Sequence, residues 1–202
     1  WSNAGQISQT GGVINLNVPT TLADLSGRIS RSGGSFNINS TLDLGGGSLD
    51  IGSTGTFGTG GLTALNYPGS IRNGTLLSGD GTPLNASSGA LDAITLGTDF
   101  TITAGSLYLY NGLTLANGTT LNLGGNTLYT YGTQTIGTPG TATIQRAGGT
   151  VYVNTGNAGG TTLTLGSGLT WHGYGSFSDY YAGTMVNNGS IISDVAGQTQ
   201  YV

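Results

Sequence analysis

Apolar residues along this chain come in short alternating pairs, apolar-polar-apolar, and hardly anywhere in longer runs. Leu107/Leu109, Leu113/Leu115, Leu121/Leu123, Val151/Val153 and Leu163/Leu165 are the clearest. A two-residue period puts both members of a pair on one face of a strand and the residue between them on the other. Thr114, Asn122, Tyr152 and Thr164 therefore point outward. No stretch sustains the 3.6-residue apolar period of a helix. Thr, Asn, Ser and Gly dominate, and these residues weaken helices or cap them. The pattern predicts short, half-buried strands and no helix.

The breaks between pairs carry the second signal. Asn111-Gly112, Asn117-Gly118, Gly124-Gly125-Asn126 and Gly148-Gly149 supply residues that tolerate the positive φ of a tight corner. Asn-Gly also suits a two-residue hairpin turn, so spacing has to decide. First apolar positions fall at 94, 100, 107, 113, 121, 128, 136, 142 and 151. That is one strand plus corner every ~7 residues. Ile29, Phe36, Leu42, Leu49 and Phe57 keep the same rhythm.

Hairpins built from three-residue strands would form a weak sheet. A β-solenoid uses the same strands as the sides of a coil, with the next coil stacked in parallel beneath. Three sides give a coil of ~21–23 residues. Roughly nine coils make a rod ~40 Å long. The expected fold class is all-β, a parallel β-helix (β-solenoid) with three short strands per coil, and a β-sandwich is the rival. Residues 1–202 read as one domain with two extruded loops that break the rhythm. These are "SGDGTPLNASSGALD" (78–92) and "WHGYGSFSDYYAGT" (171–184).

Charge narrows the partners. The chain has no Lys, Glu or Cys, four Arg, eight Asp and a formal net charge of −4. It lacks the basic patch of a nucleic-acid binder and the cations that hold an anionic membrane surface. Without Cys there are no disulfides or thiolate metal sites. No apolar run reaches the ~20 residues of a membrane helix, so no membrane insertion is expected in this segment. The chain starts and stops inside the repeat, as a piece of a longer exoprotein would.

Candidate chemistry is sparse. His172 is the sole His, and a zinc site needs three or more protein ligands. Ser176, Ser178 and Asp179 lie near it, but no nucleophile-elbow motif surrounds any Ser. Glycoside hydrolysis wants two carboxylates at a defined separation. Asp43 and Asp50, and again Asp92 and Asp99, are spaced to fall on neighbouring sides of a coil. "GGGSLDIG" and "SGDGTPL" hold only fragments of the tandem calcium repeat. Thr127/Thr130, Thr141/Thr143 and Thr162/Thr164 keep no common register for an ice-binding ladder. The expectation is a non-enzyme without catalytic residues, metal or cofactor. Trp171, Tyr174, Phe177, Tyr180 and Tyr181 of the second loop are the candidate ligand-binding residues, since aromatic rings stack on sugar faces. For Trp171 and Phe177 the favoured reading is a small satellite core beneath that loop.

"NGTTLNLGGNTL", "GTMVNNGSI" and "AGGTVYVNTGNAGGTTLTL" resemble the passenger regions of bacterial autotransporters and filamentous-haemagglutinin-like exoproteins. The resemblance is one of texture over most of the chain. It implies a right-handed parallel β-helix, secreted or displayed outside the bacterial cell envelope, acting as an adhesin or surface-filament segment. The alternatives are a self-assembling subunit of an extracellular fibre or sheath, and a polysaccharide-binding or polysaccharide-cleaving β-helix. The expected partners are a host or environmental glycan and a second copy stacked end to end.

Overall fold

The computed structural model of the chain describes residues 1–153, 155–156 and 159–202. Its strands pair in parallel and stack into a β-solenoid of about nine coils. The first face runs from Val13–Leu16 through Phe100–Ile102 and Thr120–Gly124 to Ser190–Ile192, nine strands in sequence order. The second runs from Thr20–Thr21 to Gln200–Tyr201 and the third from Ser48–Asp50 to Thr184–Asn187. Three long strands, Ser70–Leu77, Gly89–Leu96 and Ser106–Leu115, serve both of these faces. They turn between them at Asn73, Ala93 and Asn111, whose φ values are 57°, 52° and 54°. Asn tolerates this left-handed geometry better than most residues, and Asn111 is one of the corners that the Asn-Gly signal marks.

Alternation explains the core. On the first face Leu84, Phe100, Leu121, Ile144, Trp171 and Ile191 form one inward column, each in register with the next. The ten alternating Leu and Val positions singled out above are no more than 4% exposed. Outward, the same face carries an asparagine ladder. Asn39 Nδ2 donates to Asn17 Oδ1 at 3.0 Å, and Asn66 Nδ2 to Asn39 Oδ1 at 3.2 Å.

Two corners share a local motif, Arg-x-Gly-Gly-Ser/Thr, at 31–35 and 146–150. Each Arg turns inward and donates to carbonyls across the corner. Arg31 bonds Gly33, Gly34 and Gly61. Arg146 Nη2 donates to the carbonyls of Gly149 at 2.7 Å and Ser176 at 3.1 Å. Gly149 is required there: φ is 70°, and a Cβ would sit 2.2 Å from the Asn126 carbonyl oxygen. The Arg146 guanidinium lies 5.3 Å from the Phe177 ring and 5.8 Å from Trp171. Burial pulls its pKa down to about 10, so it stays a cation at neutral pH.

The structure corrects three expectations. One helical turn, Leu22–Leu25, does form. Asp24 makes it, accepting from Thr21 N at 3.1 Å and Thr21 Oγ1 at 2.6 Å, a capping pair that needs no apolar period. Segment 78–92 is not an extruded loop. It contains strand Leu84–Ala86 and the start of Gly89–Leu96, and Leu84 and Ala86 are fully buried. The alternation is present but uses an inconspicuous Ala. Segment 171–184 likewise carries the end of Leu169–His172 and all of Gly175–Asp179. The long coils lie elsewhere: 27 residues separate Ile38 from Leu65 and Ile144 from Trp171. The first of these folds Phe57 inward, its ring 4.9 Å from that of Phe36.

Carboxylates pin the corners. Asp24 is held below the usual carboxylate range by hydrogen bonds from Thr21 and Asn3, Asp43 by those from Gly45, Asn73 and Arg72, and Asp80 by those from Ser53 and Thr82. A depressed folded-state pKa means stability that is fully present above the unfolded carboxylate pKa of about 4 and is lost as pH falls below it. The urea midpoint should therefore hold steady from about pH 7 to about pH 5 and then decline towards about pH 2. A midpoint flat to the acid limit would show that these bonds contribute nothing.

Candidate functional site: a tyrosine-lined face

The leucines of strand Ser106–Leu115 point inward, so Tyr108 and Tyr110, which alternate with them, point out on the second face. Thr127–Tyr131 in the next coil repeats the pair as Tyr129 and Tyr131, and Thr150–Val153 adds Tyr152. Parallel register aligns them: Tyr108 with Tyr129, Tyr129 with Tyr152, and Tyr110 with Tyr131. Ring centroids are 5.2 Å apart at both steps of the first column, with interplanar angles of 10° and 13°. Tyr110 and Tyr131 stack at 4.5 Å. Tyr180 meets Tyr152 edge-on at 5.3 Å and Tyr181 at 4.8 Å, and Tyr67 lies 6.3 Å from Tyr108 at the other end. Eight of the ten tyrosines thus form one contiguous strip.

Stacking decides what the strip presents. Middle rings cover one another's faces, so their edges and hydroxyls are what a partner meets. Open ring faces occur where a column stops. One stop lies in the coil before Tyr108, where Ala90 aligns with Tyr108 and Asp92 with Tyr110. A groove of about 480 Å³ opens there, walled by Tyr67, Tyr108, Tyr110 and Tyr131 above a floor of Pro68, Gly69, Gly89 and Ala90. Beside it runs an in-register row of Asp43, Arg72 and Asp92. Arg72 pairs with Asp43 at 2.9 Å, and Asn111 Nδ2 donates to Asp92 Oδ1 at 2.6 Å.

Burial, then the neighbouring Tyr131, pushes the Tyr110 phenol up to about 12. Tyr129 is raised by burial and by Tyr108 and Tyr152. A raised folded pKa gives stability that is present below the unfolded phenol value of about 10 and is lost as pH climbs through the folded one. A late fraction of the phenolate absorbance, from Tyr110 and Tyr129, should accordingly rise above the free-phenol range. Tyr110→Phe should shrink only the late fraction; a single transition near the free-phenol value would contradict the stacking.

The five expected binding residues part company. Tyr180 and Tyr181 are 51% and 42% exposed and end the strip. Trp171 is 1% exposed and belongs to the inward column of the first face, because Leu169-x-Trp171 continues the alternation. Phe177 is half-buried against the core, in register with Val151. Tyr174 stands at a corner beside Gly148, bordering a separate pocket with Gly175 and Ser176. Trp171 is a core residue here, and Phe177 packs against the core while bordering a small pocket with Val153 and Met185. Six residues of the strip, Tyr67, Tyr108, Tyr110, Tyr129, Tyr131 and Tyr152, were missing from that set. Four of them had a signal in the sequence: Tyr-x-Tyr recurs at 108/110 and 129/131, one coil length apart.

No protein-family model, curated protein or solved structure matches this chain. The site must be read from its own geometry. His172 Nδ1 lies 3.1 Å from Asp194, on the first face, while Ser176 and Ser178 sit on a strand of the second. The paired aspartates are separately engaged. Asp50 Oδ1 accepts from Gly52 N and Gly79 N, and Asp99 Oδ1 from Thr120 N. Among the described residues no three His, Cys, Asp or Glu side chains stand close enough to hold a metal ion. Among the described residues no helix is long and apolar enough to cross a membrane.

Proposed function

We propose that the chain is a non-enzymatic segment of an extracellular adhesin or surface filament, with the tyrosine-lined face as its contact surface. The observation behind this reading is the strip itself. The inward Leu, Ile and Val columns already supply the core, so the fold does not require tyrosines on the outer side of successive coils. Aromatic side chains with a polar tip are the residues most enriched at contact surfaces. The surrounding rod is stiff and carries little charge, as suits a spacer between a cell and what it touches.

The test is adhesion of the purified chain to glycan-coated and cell surfaces. Replacing Tyr108, Tyr129 and Tyr152 together by Ser should abolish retention, while replacing Thr120, Thr143 and Thr170 on the first face should not. Equal retention by both variants would reject the face. Release of reducing ends from any polysaccharide supplied would reject the non-enzymatic reading.

End-to-end stacking is a second reading with its own support. Strands Thr184–Asn187 and Ser190–Ile192 pair on one side only, and Val186 and Ile192 are 38% and 44% exposed. A further coil, of this or another polypeptide, would pair those free edges. Between copies the contact is head-to-tail and gives open filaments. Light scattering that shows only monomer at high concentration would remove this reading.

A further inference from the structure

We propose that the groove at the Tyr67–Tyr108 end of the strip seats one neutral hexopyranose unit of a saccharide chain; this rests on the adhesin reading above and names its ligand class. Three observations converge on that chemistry. The first is the open ring face. Tyr108 is stacked by Tyr129 on one side, but in the preceding coil its column steps down to Ala90. A pyranose carries a C–H face that stacks on such a ring.

The second is the hydrogen-bonding edge. Asp92 stands in register with Tyr110, and Asn111 takes one of its carboxylate oxygens. The other oxygen has no hydrogen bond among the described residues. A carboxylate can only accept, so the ligand beside the rings must donate. A proline-rich segment, the other usual occupant of aromatic-lined grooves, offers carbonyls and almost no donors, which leaves that carboxylate unserved. A sugar offers a hydroxyl at nearly every carbon.

The third is charge. The adjoining row of Asp43, Arg72 and Asp92 sums to one negative charge, and Arg72 is committed to Asp43 at 2.9 Å. Among the described residues that line the groove there is no cation to meet a uronate or sialate carboxylate, so the favoured sugar is neutral.

Titration of the intact chain with cellotetraose and chitotetraose as neutral probes, oligogalacturonate as the anionic probe and decaproline as the peptide probe tests this, read by calorimetry and amide shifts. At least one neutral probe should bind saturably, with shifts centred on residues 67–69, 89–92 and 108–110. Tyr108→Ala should weaken it roughly tenfold, the loss of one stacking contact. Asp92→Asn should weaken it roughly fivefold, the loss of one good acceptor. Ala90→Tyr would extend the column into the groove and should abolish binding, with melting behaviour confirming that the variant folds. Thr143→Ala, on the first face and outside the strip, should leave the affinity unchanged. The proposal is overturned if neither neutral probe binds, if oligogalacturonate or decaproline binds more tightly, or if Ala90→Tyr binds normally. Adhesion that persists in Ala90→Tyr but fails without Tyr129 and Tyr152 would discard the groove and leave the adhesin reading standing.

Discussion

Leu121→Ala should lower the unfolding free energy by about 2–5 kcal/mol, the range for truncating a fully buried leucine. Leu121 has no exposed surface and sits in register between Phe100 and Ile144. Those neighbours cannot close the gap easily. Their backbones are held one strand spacing away by the parallel ladder, about 4.8 Å per step. The cavity therefore persists and the upper half of the range is favoured. Thr143→Ala, one coil on but facing outward, is the control and should change stability by less than about 0.5 kcal/mol. Urea unfolding followed by circular dichroism measures both. A cost at Leu121 no larger than at Thr143 would mean that inward and outward sets are wrongly assigned.

The second large effect is expected at Arg146. Arg146→Ala removes a side chain only 2% exposed and takes a donor from the carbonyls of Gly148, Gly149 and Ser176, of which Gly149 keeps the bond from Ser176 N at 3.1 Å. It also opens a gap between Phe177 and Trp171. Each buried acceptor left unpaired costs about 1–3 kcal/mol, and the cavity adds to it, so a total of roughly 3–5 kcal/mol is expected. Arg146→Met separates the two contributions. It refills the volume and removes the need to bury a cation, while leaving the carbonyls unserved. Its cost should be about half that of Ala, roughly 1–3 kcal/mol. Equal losses for Met and Ala would place the whole effect in the hydrogen bonds. No loss in either would show that the corner is closed by Gly148 and Gly149 alone.

Much of this architecture was legible in the residues. Leu121-x-Leu123 and Val151-x-Val153 announce strands because alternation is a property of neighbours two positions apart. Asn111-Gly112 announces a corner because positive φ is a single-residue preference. What escaped was subtler. Leu84-x-Ala86 is the same signal with a smaller second member, surrounded by Ser, Asn and Gly that suggest a loop. Arg31 and Arg146 look like surface cations until the carbonyls of a neighbouring coil are seen around them. The aromatic density at 171–184 suggested one exposed cluster, whereas Trp171 obeys the alternation and turns inward and Phe177 packs against the core.

Short strands with one buried side, frequent corners and hence parallel coils can be read from the residues alone. These follow from periods of two and about seven residues that any local window contains. Which outward residues become neighbours depends on how the coils wind. Tyr108, Tyr129 and Tyr152 are 21 and 23 positions apart, and they stack because the corners between them absorb the unequal lengths and return the strands to register. Ala90 precedes Tyr108 by only 18 positions and still falls in the same column. Side chains alternate along a strand, so a coil one residue longer without a compensating corner would turn the next tyrosine into the core. Register between coils is a sum over distant corners. That is why the tyrosine strip and its groove emerge only once the chain is wound.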